Sequence, residues 1–508
     1  MEVVERGLLE QQRAGTLVLS TNEDGQPGMK LVWEREDREV GVGPRGALDT
    51  VLQIAVGSNR HGQAGHAARG PEGQEPRAVP ARQIGGGVPL RVRSGWRNNL
   101  VLTEEGKAWL IGVPLDHTRA AGRGGGDGAS ALRAAAPAEM PPAICINDSL
   151  GGQRVTEAAL GWQHALVLTQ AGAVWSWGFG GYGALGTGTR DDRVVPDVVD
   201  ALLGMEIIGI ECGSYASAAL TSGGALYTWG WGKHGQLGHG SAMNSLWPRE
   251  VRRDRDGADM WPVRAVSLGH LHIAVLGAAG GMWTCGLGSH GRLGYPSPEE
   301  RLPRLVESNS NGDPLRGVRM VDCGYAHTAM VDGFGAVWTC GQGSYGALGL
   351  GDLRDRTAMS LIEALPPVRR VSCGGFFTAA VDRSGRLWTW GRNDAGQLGR
   401  PCYLRSPSVK GVDPPPSSAP IERDAGDGLV DRREVPKPDR EVDQGRLSGA
   451  AAPPFSDGKL DPDGTEDSRP ALADLSVACS RAGAVSADAA GVSCGHAHIG
   501  VLLRVRGP

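Results

Sequence analysis

Residues 161–186, GWQHALVLTQAGAVWSWGFGGYGALG, constrain this fold more than any other stretch because the chain repeats them. Copies open at Gly213, Gly269, Gly324 and Gly374 with the same internal spacing. A weaker copy opens at Gly95 and loses the pattern after Gly112; residues 57–65 keep only its second half, and the residues from Gly495 onward keep only its first. The opening glycines at 95, 161, 213, 269, 324 and 374 stand 66, 52, 56, 55 and 50 residues apart. A unit of that period buries its apolar faces against neighbouring copies, as propellers and solenoids do.

Within one copy, ASAALTS and ALYTWG read as short strands joined by a glycine-containing turn at residues 222–224. The run IIGIECG reads as a strand before them, and runs such as VVPDVV and LWPREV as a fourth. Proline places that fourth strand at an edge, because proline cannot donate to the ladder. Four antiparallel strands with the last outermost describe a propeller blade. Six copies give six blades, and the half copies near the two chain ends combine into a seventh. The expected fold is an all-β, seven-bladed propeller of four-stranded antiparallel blades. Pairing the N-terminal and C-terminal half repeats closes the ring and leaves no sheet edge open to association.

The consensus G-x-x-H-x-x-x-L-T-x-x-G-x-x-W-x-x-G-x-x-x-x-G-x-L-G resembles the regulator of chromosome condensation repeat family, over roughly residues 51–400 and 491–503. The resemblance implies a seven-bladed propeller. It implies less about activity, because the family includes guanine-nucleotide exchange factors, a plant UV-B photoreceptor and many adaptor modules.

The propeller absorbs most of the 508 residues, as residues 51–400 and 491–508. Residues 1–50 do not match the repeat and are unassigned, although 16–20 and 30–33 could form a hairpin around NEDGQPG. Residues 401–490, rich in Pro, Asp and Arg with no Trp, read as a disordered spacer. An Ala/Gly-rich insert between Gly112 and Gly161 reads as a loop. With 52 basic and 56 acidic residues, a formal charge of −4 gives no reason to expect nucleic acid or a membrane surface as partner. No signal-peptide or membrane-spanning run is present in the sequence, and nine cysteines without a CxxC pair argue against a disulfide framework or zinc ribbon. A cytoplasmic or nuclear home is the expectation.

Most motif-like features reduce to repetition. Gly178, Gly183 and Gly186 imitate a dinucleotide fingerprint, but Gly230, Gly235 and Gly238 repeat the same offsets, which turn geometry explains. His164, His272, His327 and His498 each stand three places after an opening glycine. One per blade, they are expected to make a repeated hydrogen bond and not to converge on a metal. Trp175, Trp229, Trp283, Trp338 and Trp388, with Trp109, are read as one repeated position that packs adjacent blades. Cys212, Cys323, Cys373 and Cys494 share another position, as small core residues.

The UV-B receptor resemblance implies tryptophans directly after the opening glycine in consecutive blades. Here Trp96 and Trp162 occupy that place, but Ser214, His270, Tyr325, Gly375 and His496 fill the others. For an exchange factor, Asp148, Asp191, Asp192 and Asp352 are the candidates for an acidic partner-facing surface, by loop position alone. No catalytic, cofactor-binding or metal-binding set is found. The reading is a non-enzymatic module for protein partners, with an exchange factor for a Ran-like small GTPase as the alternative and a UV-B sensor as a weaker one.

Overall fold

The computed structural model describes residues 17–21, 27–31, 50–57, 77–78, 84–85, 87–112, 115, 143–260, 262–399, 466–473 and 486–506. It is a β-propeller of four-stranded antiparallel blades. The blade opened by Gly161 is typical: Val155–Leu160, His164–Thr169, Val174–Gly178 and Arg193–Val198 lie side by side in chain order. Burial along these strands explains their composition. The second strand, HALVLT, is buried at every residue, so it lacks the alternation of a half-exposed strand. The fourth is mostly exposed or half-buried and carries Pro196, with Pro248, Pro303 and Pro470 at the same register in other blades.

Six sheets of this kind are entered at Gly95, Gly161, Gly213, Gly269, Gly324 and Gly374. A further four-stranded sheet joins Ser486–Cys494 and His498–Arg506 to Thr50–Gly57 and Arg77–Ala78, which brings the two half repeats together. Leu17–Thr21 and Pro27–Leu31 pair as a separate two-stranded sheet, close to the hairpin expected there.

One expectation is corrected. Glu466–Leu472, assigned from composition to the 401–490 spacer, is the fourth strand of the Gly374 blade, with Trp388 opposite Leu472. Ser486–Cys494 also begins inside that range. A strand separated by more than 70 residues from its neighbour Leu387–Arg392 is recruited because the outer edge of that blade would otherwise be unpaired. The rest of the spacer lies outside the described residues.

The blades meet at their opening glycines. A Cβ on Gly161 would stand 2.6 Å from the carbonyl oxygen of Gly213, one on Gly213 the same distance from Gly269, and one on Gly269 the same from Gly324. The series continues from Gly324 to Gly374 (2.7 Å), Gly374 to Gly495 (2.8 Å), Gly495 to Gly95 (2.4 Å) and Gly95 back to Gly161 (3.1 Å). Seven glycines thus form a closed circle around the axis.

Farther out, three of the described loops between third and fourth strands reach the next blade. Gly188 N donates to Leu246 O, Gly240 N to Arg301 O and Gly351 N to Ser468 O. The neighbouring edge residues of the Gly161 blade, Val194 and Val195, are 54% and 58% exposed. The loop expected to cover them would come from the Gly95 blade, where the repeat pattern lapses after Gly112.

Gly213→Ala is expected to lower stability by about 1–3 kcal/mol through overpacking. Gly152→Ala, at φ +76° with open space around it, is expected to cost about 1 kcal/mol for its backbone alone. Urea unfolding midpoints of the two variants measure the difference.

Candidate interaction face at the axial mouth

The reversal between the first and second strands of each blade projects the residue after the opening glycine toward the axis. Trp96, Trp162, Ser214, His270, Tyr325, Gly375 and His496 therefore ring a cavity of about 90 Å³ floored by the glycine circle. Four of them form a continuous stack. Trp96 and Trp162 have ring centroids 5.6 Å apart, Trp162 and His270 4.6 Å, and His270 and Tyr325 4.4 Å, with interplanar angles of 27°, 16° and 11°. Tyr325 continues to Phe376 at 5.0 Å, and Phe376 to Tyr345 at 5.3 Å.

The loops after the third strands open on the same face, since Phe179 N donates to Gln163 O. They extend the aromatic surface: Tyr182 stacks on Trp231 at 5.4 Å, and Phe179 and Tyr182 both pack edgewise on Tyr215. Trp96, Trp162, Tyr325, Phe179, Tyr182 and Trp231 are all half-buried, so their rings are partly open to solvent.

Arginines and carboxylates share this face: Asp192 and Asp355 close loops on it, Asp394 pairs with Arg392, and Glu299 lies beside His234. The Arg97 guanidinium lies 3.9 Å from the Trp96 ring centroid, and Arg392 lies 5.2 Å from that of Tyr345. Arg292 is buried, donating to Ser289 O, Ser289 Oγ and Tyr325 O. Burial, reinforced by Arg292, holds His270 down to about 3; burial, reinforced by Arg392 and Arg97, holds His496 down to about 4. Both imidazoles are neutral near pH 7.

Beneath the mouth, the repeated histidines tie each blade to the next. Nε2 of His164 is 2.9 Å from Ser217 Oγ, that of His272 2.9 Å from Thr328 Oγ1, that of His327 2.9 Å from Thr378 Oγ1, and that of His498 3.0 Å from Asn99 Oδ1. The hydroxyls of Ser217, Thr328 and Thr378 give their protons to the carbonyls of Ala184, Arg292 and Ala347. Each of those three histidines must then donate from Nε2, which fixes a neutral tautomer. Burial lowers His164 and His327 to about 4 and pushes His272 down in the same direction.

The glycines at 178, 183, 186, 230, 235 and 238 all have positive φ. A Cβ at Gly178 would also meet Gln163 O at 2.3 Å, so this position needs glycine twice over.

The tryptophan alignment is corrected by strand register. Trp175, Trp283, Trp338 and Trp388, with Trp109, occupy equivalent rungs, but the residue at that rung in the Gly213 blade is Tyr227. Trp229 sits two residues nearer the glycine, with Trp177 and Trp390. It is fully buried and donates from Nε1 to Ala184 O at 2.9 Å, as Trp390 does to Ala347 O at 3.0 Å.

The candidate aspartates do not assemble an acidic surface. Asp192 Oδ1 accepts the Gly180 N–H at 2.8 Å and closes its own loop, as Asn244 and Asp355 do in theirs. Asp352 pairs with Arg356 at 2.7 Å, which lowers its carboxyl. Asp191 is exposed beside that loop, while Asp148 is exposed in the Asn147–Leu150 turn, after a fourth strand and so at the opposite face. The described cysteines, Cys145, Cys212, Cys285, Cys323, Cys340, Cys373 and Cys494, are free thiols, and burial raises the last six. Among the described residues no His, Cys, Asp and Glu group is arranged to hold a metal ion, and no helix is long and apolar enough to cross a membrane.

A second set of ties between blades lies on the first strands. Two residues before the opening glycine, Asp322 accepts from Ser267 Oγ (2.9 Å) and Cys373 N (2.6 Å), and Ser372 accepts from Cys494 N (3.0 Å). Glu211 holds the same place in its blade. Burial pushes its carboxyl up to about 8 against the opposing pull of Arg93.

Residues 53–416 match the profile of the RCC1-like domain. The chain belongs to that family. It is 33% identical over 229 residues to the ultraviolet-B receptor UVR8 of Arabidopsis thaliana, covering 45% of this chain and 50% of that protein. It is 40% identical over 186 residues to the human E3 ubiquitin-protein ligase HERC2, covering 36% of this chain and 4% of that one. The matched regions thus span half or less of these relatives. The fold is shared with human WBSCR16 (TM-score 0.62, 19% identity, 90% of this chain and 99% of that one). It is shared equally with Prp20p of Saccharomyces cerevisiae (TM-score 0.63, 16% identity, 90% and 92%), a protein described with its binding to Gsp1p and histones.

Two opposite pH responses are expected of this RCC1-like propeller. The buried histidines have folded pKa values near 4 against an unfolded value near 6.5. Their contribution is present above pH 6.5 and is lost as pH falls toward 4. Replacing the His327–Thr378 pair by Phe and Ile, the residues this chain itself uses at Phe377 and Ile499, should flatten that acid limb in thermal melts. Glu211 is raised, so its contribution is present below about pH 4.5 and is lost as pH rises through about 8. Glu211→Gln should therefore gain stability relative to the parent between pH 6 and pH 9, read from the same melts.

Proposed function

We propose that this chain is a non-enzymatic protein-interaction module whose docking side is the aromatic face at the axial mouth, on a propeller of seven blades. The blade count is supported by the circle of seven opening glycines and by the sheet that draws strands from both chain ends. The observation that carries the functional reading is the half-buried aromatic surface running from Trp96 through Trp162 and Tyr325 to Tyr345. Aromatic groups with both rigid area and polar edges are the side chains that dominate protein interfaces. Membership of the RCC1-like family is consistent with it, since Prp20p is described with protein partners.

The third strands Thr50–Gly57, Ala108–Gly112 and Leu387–Arg392 each end at this same face before their longest sequence connections. Sequence variation there would alter partner choice without touching the ring. A second reading has a specific observation behind it. Trp96 and Trp162 are stacked, with Arg97 over the first, and the chain resembles a UV-B receptor over 229 residues. The exchange-factor reading has less support, because of the four aspartates proposed for it Asp192 closes its loop, Asp352 pairs with Arg356 and Asp148 stands on the opposite face.

Trp162→Ala should reduce capture of the chain's protein partners at least tenfold, while Leu203→Ser, at an exposed site between a fourth strand and the next blade, should leave capture unchanged. Quantitative mass spectrometry of the captured proteins decides it. Equal loss in both variants, or in neither, would remove the aromatic face from the account. Acceleration of nucleotide release from a Ran-like GTPase, or a change in oligomeric state under UV-B light, would promote the corresponding alternative.

A further inference from the structure

We propose that the axial mouth is a receptor for an acidic segment of a protein partner, a short extended stretch in which carboxylates flank apolar side chains. This rests on the interaction reading above and specifies the chemistry of the partner.

Two arginines at the mouth, Arg97 and Arg292, have no hydrogen-bonded carboxylate among the described residues, although Asp355, Asp394 and Glu299 stand elsewhere on this face. Arg97 packs on Trp96, its Nε has no hydrogen-bond partner among the described residues, and burial lowers its pKa with no carboxylate opposing the effect. Arg292 is 4% exposed and bonded only to neutral groups, with Asp355 the one carboxylate acting on it, through space. Burial pulls it down to about 10. Arg392 is paired with Asp394. The imidazoles of His270 and His496 face these arginines and stay neutral. A guanidinium withdrawn from water without a counter-charge is unfavourable, and an incoming carboxylate relieves it.

Geometry specifies the rest. The stack from Trp96 to Tyr325 joins the Arg97 end of the mouth to the Arg292 end through three ring-to-ring steps of 5.6, 4.6 and 4.4 Å. Trp162 and Tyr325 are 6.1 Å apart directly, so the span is at most about 12 Å and an extended chain crosses it in roughly three to four residues at about 3.3 Å each. Apolar side chains between the two acids would lie along the aromatic surface. A nucleobase needs an open ring face to stack on. Here the rings face one another, and Arg97 covers Trp96. A basic segment would meet arginines already in place.

The test is calorimetric titration of the full chain with a capped peptide Ser-Glu-Leu-Val-Leu-Glu-Ser and its Lys-for-Glu counterpart, at low and high salt. The acidic peptide is expected to bind, more weakly in high salt, and the basic one not. Arg97→Gln should weaken binding at least tenfold with an unchanged melting temperature, Arg97→Lys should restore part of it, and Leu203→Ser should have no effect. Equal affinity for the two peptides, or unaltered binding by Arg97→Gln, would overturn the proposal. So would sedimentation showing that the chain self-associates and that Arg97→Gln abolishes it, since a second copy would then occupy the mouth. If partner capture depends on Trp162 but not on Arg97, the acidic-segment proposal falls and the interaction reading stands.

Discussion

The propeller depends on how closely its blades approach one another at the axis. Each opening glycine lies so near the next blade's glycine carbonyl that a methyl group would have to displace backbone. Main chain cannot move aside as a side chain can, so this contact sets the angle between sheets at every junction. Once seven such junctions follow one another, the last returns to the first, and Gly495 meets Gly95 although 400 residues separate them.

The histidine ties depend on that spacing. A buried imidazole is stable only when neutral and hydrogen-bonded, and the hydroxyl facing it is already committed to a carbonyl of the preceding blade's loop. The three groups form a chain from histidine to hydroxyl to carbonyl that crosses a blade boundary. At two junctions without the tie, both positions are apolar: Ala216 and Ile273 lie in one buried core cluster, Phe377 and Ile499 in another.

Much of this was legible in the sequence, and the failures share a cause. Glycine spacing gives the blade because the constraint lies within one copy. The histidine column was visible too, but its partners Ser217, Thr328, Thr378 and Asn99 belong to the next copy, and the last requires knowing that the chain ends meet. Trp229 was placed on the wrong rung because tryptophans were matched to tryptophans. Counting back from Gly230 puts Tyr227 in the column. Glu466–Leu472 was hidden because distance along the chain, and not composition, separates it from its blade. The column after the opening glycine was judged only as a run of tryptophans. It is instead a ring stack that passes over Ser214, from Trp96 and Trp162 through His270 to Tyr325.

The same constraint explains why the face can vary while the fold does not. The opening glycine and the residue three places later are held by contacts within the ring, whereas the residue between them that points into the mouth touches mainly its counterparts in neighbouring blades. Ser, His, Tyr, Trp and Gly all occur there in one chain, without disturbing the glycine circle below. On the proposed interaction reading, stability and recognition thus fall to adjacent residues with opposite tolerances. A partner meeting this face encounters side chains held within a few ångströms of fixed positions, so little conformational entropy remains to be lost on that side of the contact. Affinity then follows from which rings and charges occupy the mouth. In this chain those are an indole–imidazole–phenol stack under an arginine that no carboxylate among the described residues neutralises.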